Sequence, residues 1–164
     1  MSAQKWQATE ELFREFQALG RASLIYDVQD SHSGNMAVRR TNERGEDEIV
    51  ITATGSQKGD LEPSQICFLS ATETDYGYYK ASSETDIHAR VLDLPGVRAS
   101  MHAHVKDLVL ATLDDEPKPA RPPAFVPVDP LAFHHLGSAI PVDWFAVPSG
   151  SPELARVIPE RLAN

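Results

Sequence analysis

Two histidines separated by one residue, in Ser100-Met101-His102-Ala103-His104-Val105, are the first place where this sequence could do chemistry. In an extended segment, side chains i and i+2 project to the same face. His102 and His104 would then point together, with Cα atoms about 6–7 Å apart, while Met101, Ala103 and Val105 pack the other way. Two neutral imidazoles so placed can converge on one divalent ion. The same pair also suits ordinary hydrogen bonding at a strand end. Upstream, Ala81-Ser82-Ser83-Glu84 reads as the entry to a helix. A carboxylate there complements the helix macrodipole. Alternatively, the Ser82 and Ser83 hydroxyls and the free N–H groups of the first turn bind an anion such as phosphate, with Glu84 beside it and facing the histidine strand. Gly34-Asn35 and Thr54-Gly55 are turn-like pieces next to strands; Gly and Asn tolerate φ > 0, and Thr54-Gly55 also suits close approach of backbone to an oxyanion.

These groups must be positioned by the elements around them. Residues 9 to 23 predict a helix capped by Thr9, with Glu10 and Glu11 in its first turn and an apolar stripe of Leu12, Phe13, Phe16 and Leu19. Short strands are expected at 36–39, 48–52 and 65–70, the first two joined by a polar hairpin loop over 42–47. Ser83 is expected to start a second helix, with Asp86 at capping-box spacing, and Pro95-Gly96 to stop it. A strand over 97–105 carries the histidines, a short helical turn follows at 108–113, and Asp114 to Ala124 forms a stiff, proline-rich surface loop. A last strand is expected over 139–145. Ser151-Pro152-Glu153 then opens a closing helix with the stripe Leu154, Val157, Ile158 and Leu162, weakened by Pro159. Strands adjoin loops more often than crossover helices, so a mixed or antiparallel sheet is expected.

Composition narrows the function classes. The chain has 164 residues, 41% hydrophobic and 24% charged, which suits one compact domain. Fifteen basic residues against 24 acidic ones leave a formal charge of −9. With no Lys/Arg cluster in any segment, nucleic acid and anionic membranes are excluded as partners. An anionic small molecule would have to be gripped by local devices such as helix N-termini, backbone N–H groups or a metal. The single cysteine, Cys67, lies in an apolar run and reads as a buried small hydrophobe, consistent with a reducing compartment. The first residues contain no apolar signal region and no run approaches about 18 apolar residues, so a cytoplasmic location is expected.

The order of the pieces is more specific than any one of them. Ser33-Gly34-Asn35-Met36-Ala37-Val38-Arg39, then Ile51-Thr52-Ala53-Thr54-Gly55-Ser56-Gln57-Lys58-Gly59-Asp60-Leu61, then Ser82-Ser83-Glu84, then His102-Ala103-His104 resembles the class II aldolase/adducin family, which includes sugar-phosphate aldolases of the fuculose-phosphate type. The stretch from Ile140 through Ser149-Gly150-Ser151 to Ala155 shares the likeness. The resemblance implies an α/β fold with a mixed, largely antiparallel central sheet flanked by helix layers, assembled as a homotetramer with active sites at subunit boundaries. It implies zinc or a related divalent ion at His102 and His104, and Glu84 as the acid/base carboxylate. It places Gly34, Asn35, Thr54, Gly55, Ser82 and Ser83 around a substrate phosphate. The activity implied is that of a metal-dependent lyase of carbohydrate metabolism. Such an enzyme cleaves or forms a C–C bond in a small phosphorylated polyhydroxy carbonyl compound through a metal-stabilised enediolate. A non-catalytic adducin-like binding or assembly domain, or a related epimerase, dehydratase or decarboxylase, is the alternative.

Family enzymes carry a third metal histidine on a strand beyond the helix that here ends at Asn164. The single domain spanning 1–164 is therefore expected to lack the family's C-terminal strand and helix. The third ligand would come from Glu84, from His134 or His135, or be missing. Glu84 is the favoured source, because His134 and His135 read equally well as a helix-end pair bonded to backbone. His32, in a turn, and His88, on the helix carrying Ile87, read as structural.

Overall fold

The computed structural model describes residues 3–30, 32–71, 74–75, 80–113, 124–125, 129–136 and 139–163, the side chains of 3–9, 74–75, 112, 133, 135 and 136 excepted. Helix α1 (Ala3–Ile25) leads into strands β1 (Asn35–Thr41), β2 (Asp47–Thr52), β3 (Ile66–Ser70) and the two-residue β4 (Thr74–Asp75). Then come α2 (Thr85–Leu92), β5 (Ala99–His102), α3 (Lys106–Thr112), β6 (Ala124–Phe125), α4 (Pro130–Leu136), β7 (Ile140–Pro141) and α5 (Pro152–Leu162). The main sheet has the order β4-β3-β2-β1-β5 with every pairing antiparallel, and β6 pairs with β7 separately. The expected α/β fold with a largely antiparallel sheet is what forms.

Alternation along the strands separates two cores. Met36 and Val50 face α1 and pack with Phe16, Leu61 and Ile66. Their neighbours Ala37 and Ile51 face the opposite way and pack with Ala53, Cys67 and Leu92 of α2. Period-2 side chains buried on both faces make the centre of the sheet continuously apolar. Each fully buried Val, Ile, Met or Phe here contributes roughly 1.5–3 kcal/mol. Ile87 and Val91 of α2 meet Leu154 and Ala155 of α5 in a third cluster. Cys67 is fully buried and free, as expected.

Several boundaries differ from the sequence reading. On α1, Leu19 is 45% exposed, and the face is completed instead by Gly20 and Ser23. A Cβ at Gly20 would lie 1.9 Å from the carbonyl oxygen of Lys58, so the helix approaches that loop at a distance only glycine permits. Ser83 does not cap α2: the helix starts at Thr85 with Glu84 at the N-cap, and its side chain makes no cap hydrogen bond because it is turned into the site. Strand β5 ends at His102 rather than at 105, so His104 sits in the coil beyond it. Of the strand expected over 139–145, only Ile140–Pro141 pairs. Ser151 caps α5 as expected, accepting from the Leu154 N–H at 3.2 Å, and the helix runs through Pro159 to Leu162. Most of the proline-rich loop, residues 114–123, lies outside the described residues.

Candidate functional site

Three strand ends and the entrance of α2 meet at one edge of the sheet. Asn35, the first residue of β1, is the register partner of His102, the last residue of β5. Beyond β2, an isolated bridge between Ala53 and Ala81 holds the Thr54-Gly55 turn beside Ser82-Ser83-Glu84, with the Ser82 N–H donating to Thr52 O at 3.2 Å. The result is a polar pocket of about 150 Å³. Its wall includes all nine residues singled out in the sequence: Gly34, Asn35, Thr54, Gly55, Ser82, Ser83, Glu84, His102 and His104.

Glu84 is the centre of a hydrogen-bond chain. Its Oε2 accepts from His102 Nδ1 at 2.5 Å and from Asn35 Nδ2 at 3.0 Å. Asn35 Oδ1 accepts in turn from His88 Nε2, and His88 Nδ1 lies 2.6 Å from Ser100 Oγ. Because the Asn35 carbonyl can only accept, His88 is a neutral ring with its proton on Nε2, and the Ser100 hydroxyl donates to Nδ1. Burial, reinforced by nearby His102 against the pull of Glu84, takes the His88 pKa down to about 4. For Glu84, burial pushes upward, but the hydrogen bonds from His102 and Asn35 and the charges of His102 and His88 outweigh it and hold the carboxyl at about 2. Glu84 is a carboxylate at neutral pH.

The two imidazoles come together as the i, i+2 spacing requires, with ring centroids 4.7 Å apart. The hydrogen bond from Nδ1 to Glu84 leaves Nε2 as the ring nitrogen free to bind a metal, the arrangement in which a carboxylate orients a metal-binding imidazole. Burial and the neighbouring His102 lower the pKa of His104, which favours its unprotonated form. This donor chemistry fits a divalent ion such as zinc. Glu84 Oε2 is held by His102 and Asn35, and among the described residues no group of three His, Cys, Asp or Glu side chains is arranged to hold a metal ion. His134 is exposed on α4 and does not line the pocket, and the side chain of His135 lies outside the described residues.

The rest of the pocket supplies hydrogen-bond groups. Ser82 Oγ accepts from the Glu84 N–H at 3.2 Å, which leaves its own proton free to donate. Thr54 Oγ1 accepts from the Ser83 N–H at 3.3 Å. Gly34 has φ +68°, and a Cβ there would lie 2.4 Å from the His102 carbonyl oxygen. The Asn35 carbonyl is taken by His88 and one of its two Nδ2 hydrogens by Glu84, which leaves the second Nδ2 hydrogen for a ligand.

Sequence reasoning missed several participants. His88, taken as structural, supports the site through Asn35; its signal was the i, i+4 spacing from Glu84, which puts both on one face of α2. His32 and Ser149 line the pocket, and Gly150 approaches so closely that a Cβ would lie 2.8 Å from Ser83 O. Against the other side of Glu84 and His102 lies a larger cavity of about 530 Å³ whose lining includes Ile87, Val91, Val97, Met101, Leu154 and Ile158. A charged ligand group belongs in the polar pocket.

An antiparallel sheet with helices on both faces is the arrangement expected from the resemblance. Residues 14–164 match the Class II Aldolase and Adducin N-terminal domain, and the chain belongs to that family. Its fold is similar to that of YgbL from Escherichia coli, assigned the alternatives aldolase, epimerase or decarboxylase (20% identity, 95% of this chain and 72% of that one, TM-score 0.72). It is also similar to L-fuculose-1-phosphate aldolase from Thermus thermophilus, at 24% identity over 93% of this chain and 70% of that one, TM-score 0.69. A sugar-phosphate aldolase from Thermotoga maritima matches at 25% identity over 65% of this chain and 58% of that one, TM-score 0.54. No described helix is long and apolar enough to cross a membrane.

Proposed function

We propose that this protein is a divalent-metal-dependent lyase of the aldolase type, acting on a small phosphorylated polyhydroxy carbonyl compound. The observation that carries the reading is the convergence of Glu84, His102, His104 and the Gly34, Thr54-Gly55 and Ser82-Ser83 segments on one pocket of about 150 Å³. A bound divalent ion, held by His102 and His104, would supply Lewis-acid stabilisation of the negative charge that develops on the carbonyl oxygen. Ser82 Oγ–H and the hydroxyls of Thr54 and Ser83 receive the phosphate, and Gly55 lets the backbone come close to it. Glu84 is the proton-transfer group. Its carboxylate is too weak a base while His102 and Asn35 both donate to it; releasing Oε2 from His102 leaves burial as the main influence and raises its pKa toward a working value. Asn35, backed by His88 and Ser100, keeps the carboxylate aimed while that happens.

The test is metal content. Purified protein is expected to bind about one zinc, cobalt or manganese per chain, with His102→Ala and His104→Ala each losing it. Protein that takes up no metal when zinc is supplied would favour the adducin-like assembly domain instead. Assembly into a homotetramer belongs to the same proposal, supported by the exposed leucines of α3, and light scattering that finds only monomers would remove that part.

A further inference from the structure

We propose that Lys58 is a positioning residue for the anion-binding end of the pocket: its buried ammonium ties together the two segments that carry Gly34-Asn35 and Thr54-Gly55 and gives that end positive charge. The proposal rests on the anion-pocket reading above. Lys58 is 1% exposed, and among the described residues its Nζ forms no ion pair. It donates instead to two carbonyl oxygens, that of Ser56 at 2.7 Å and that of His32 at 3.0 Å. Ser56 directly follows Gly55, and His32 lies two residues before Gly34. One side chain therefore clamps both loops from behind. The loop it stands on is itself clamped by α1, through the close packing of Gly20 on the Lys58 carbonyl and an Arg21 Nε–H donated to Gly59 O at 3.3 Å.

A neutral donor would serve as a clamp without the cost of burying a charge. What the ammonium adds is potential. No Arg or Lys side chain lines the pocket among its described residues, and the chain carries a formal charge of −9. A dianionic group would meet hydroxyl and N–H dipoles there but no counter-charge from the lining itself. The charge of Lys58 sits directly behind the lining, since the carbonyl oxygens that hold it belong to His32, which lines the pocket, and to Ser56, which follows the lining residue Gly55. The charged and titratable groups around Lys58 include Asp30, His32, His104 and Arg21. Asp30 Oδ1 accepts the His32 and Ser33 N–H groups at 3.0 and 2.7 Å, and its pKa is lowered by those bonds. Burial brings the Lys58 pKa down to about 8, with Asp30 pulling the other way. Lys58 therefore loses its charge in mildly alkaline solution, above the range in which Asp30 and His104, both with lowered pKa values, titrate.

Sulfate is the probe, because it stays dianionic across that range and phosphate does not. Calorimetric titration of the full chain is expected to show sulfate affinity falling about fivefold or more between about pH 7 and about pH 9.5. Lys58→Met is expected to bind about tenfold more weakly near neutrality and to lose the pH dependence. Lys58→Arg, which keeps the charge, is expected to bind equally at both pH values. A wild-type affinity that does not change with pH, or a folded Lys58→Met that binds sulfate like the wild type, overturns the proposal. Should Lys58→Met fail to fold, the wild-type pH profile decides alone. Wild-type protein that binds no sulfate at any pH overturns the anion-pocket reading and this proposal with it, whereas normal binding by Lys58→Met overturns only the role of Lys58.

Discussion

Up to His104 the chain is built around a sheet whose central residues are shielded on both faces; after it, the described structure is mostly surface. Val50, Ile51, Thr52 and Cys67 are completely buried. By contrast, Leu108, Val109, Leu110 and Leu113, in and just after α3, are 43%, 38%, 57% and 67% exposed, and Leu131 of α4 is 65% exposed. Only α5 in that later part contributes described residues to a buried cluster, through Leu154 and Ala155. The pocket follows the same division, since every lining residue but Ser149 comes from the first part. The proposed site, whose groups would have to be held closely in place, thus sits on the well-buried part. The later part leaves several leucines exposed, which the proposed assembly would cover.

Substitutions on the two sides should therefore differ in kind. The largest effect is expected from Glu84→Gln, which keeps the shape but removes the carboxylate. Turnover of a cleaved sugar phosphate should fall by about 10²–10⁴, and full activity in this variant would remove Glu84 from the mechanism. Gly20→Ala forces a methyl group into the Lys58 carbonyl and should cost roughly 3 kcal/mol in a denaturant titration; a loss below about 0.5 kcal/mol would mean that α1 does not pack there.

The next effect is a pH dependence. The folded-state pKa of His88 is depressed to about 4 from an ordinary 6.5, so its neutral form stabilises the fold above 6.5 and that stability is lost as pH falls toward 4. The total over this window is roughly 3 kcal/mol. His88→Gln retains a donor for Asn35 and should flatten most of the slope, leaving the part due to His104, whose pKa is also lowered. Glu84 acts in a lower window, its contribution being lost between an ordinary 4.5 and about 2. Melting curves from pH 7 to about pH 4 that coincide for wild type and variant would contradict the burial argument. The smallest change in folding is expected in the later part. Leu110→Glu should alter the stability of a chain by less than about 0.5 kcal/mol yet weaken self-association, and light scattering showing an unchanged assembly would locate the interface elsewhere.

What depends on near neighbours could be read directly from the order of residues. The pairing of His102 and His104, the Ser151 cap with Pro152 behind it, and the strands over 36–39 and 48–52 are local patterns, and each appears where it was read. The nine pocket residues were legible as separate pieces because each piece has its own turn or cap chemistry. How the pieces connect was settled by the folded arrangement alone. Asn35 reaches Glu84 across 49 residues and His88 across 53, and no short-range pattern encodes those meetings. They depend on the register that sets Asn35 opposite His102 and on α2 lying over that strand end. The same holds for Leu19, for the shortened β5 and for the buried ammonium of Lys58. In each, local preference was overruled by which backbone came close enough to touch.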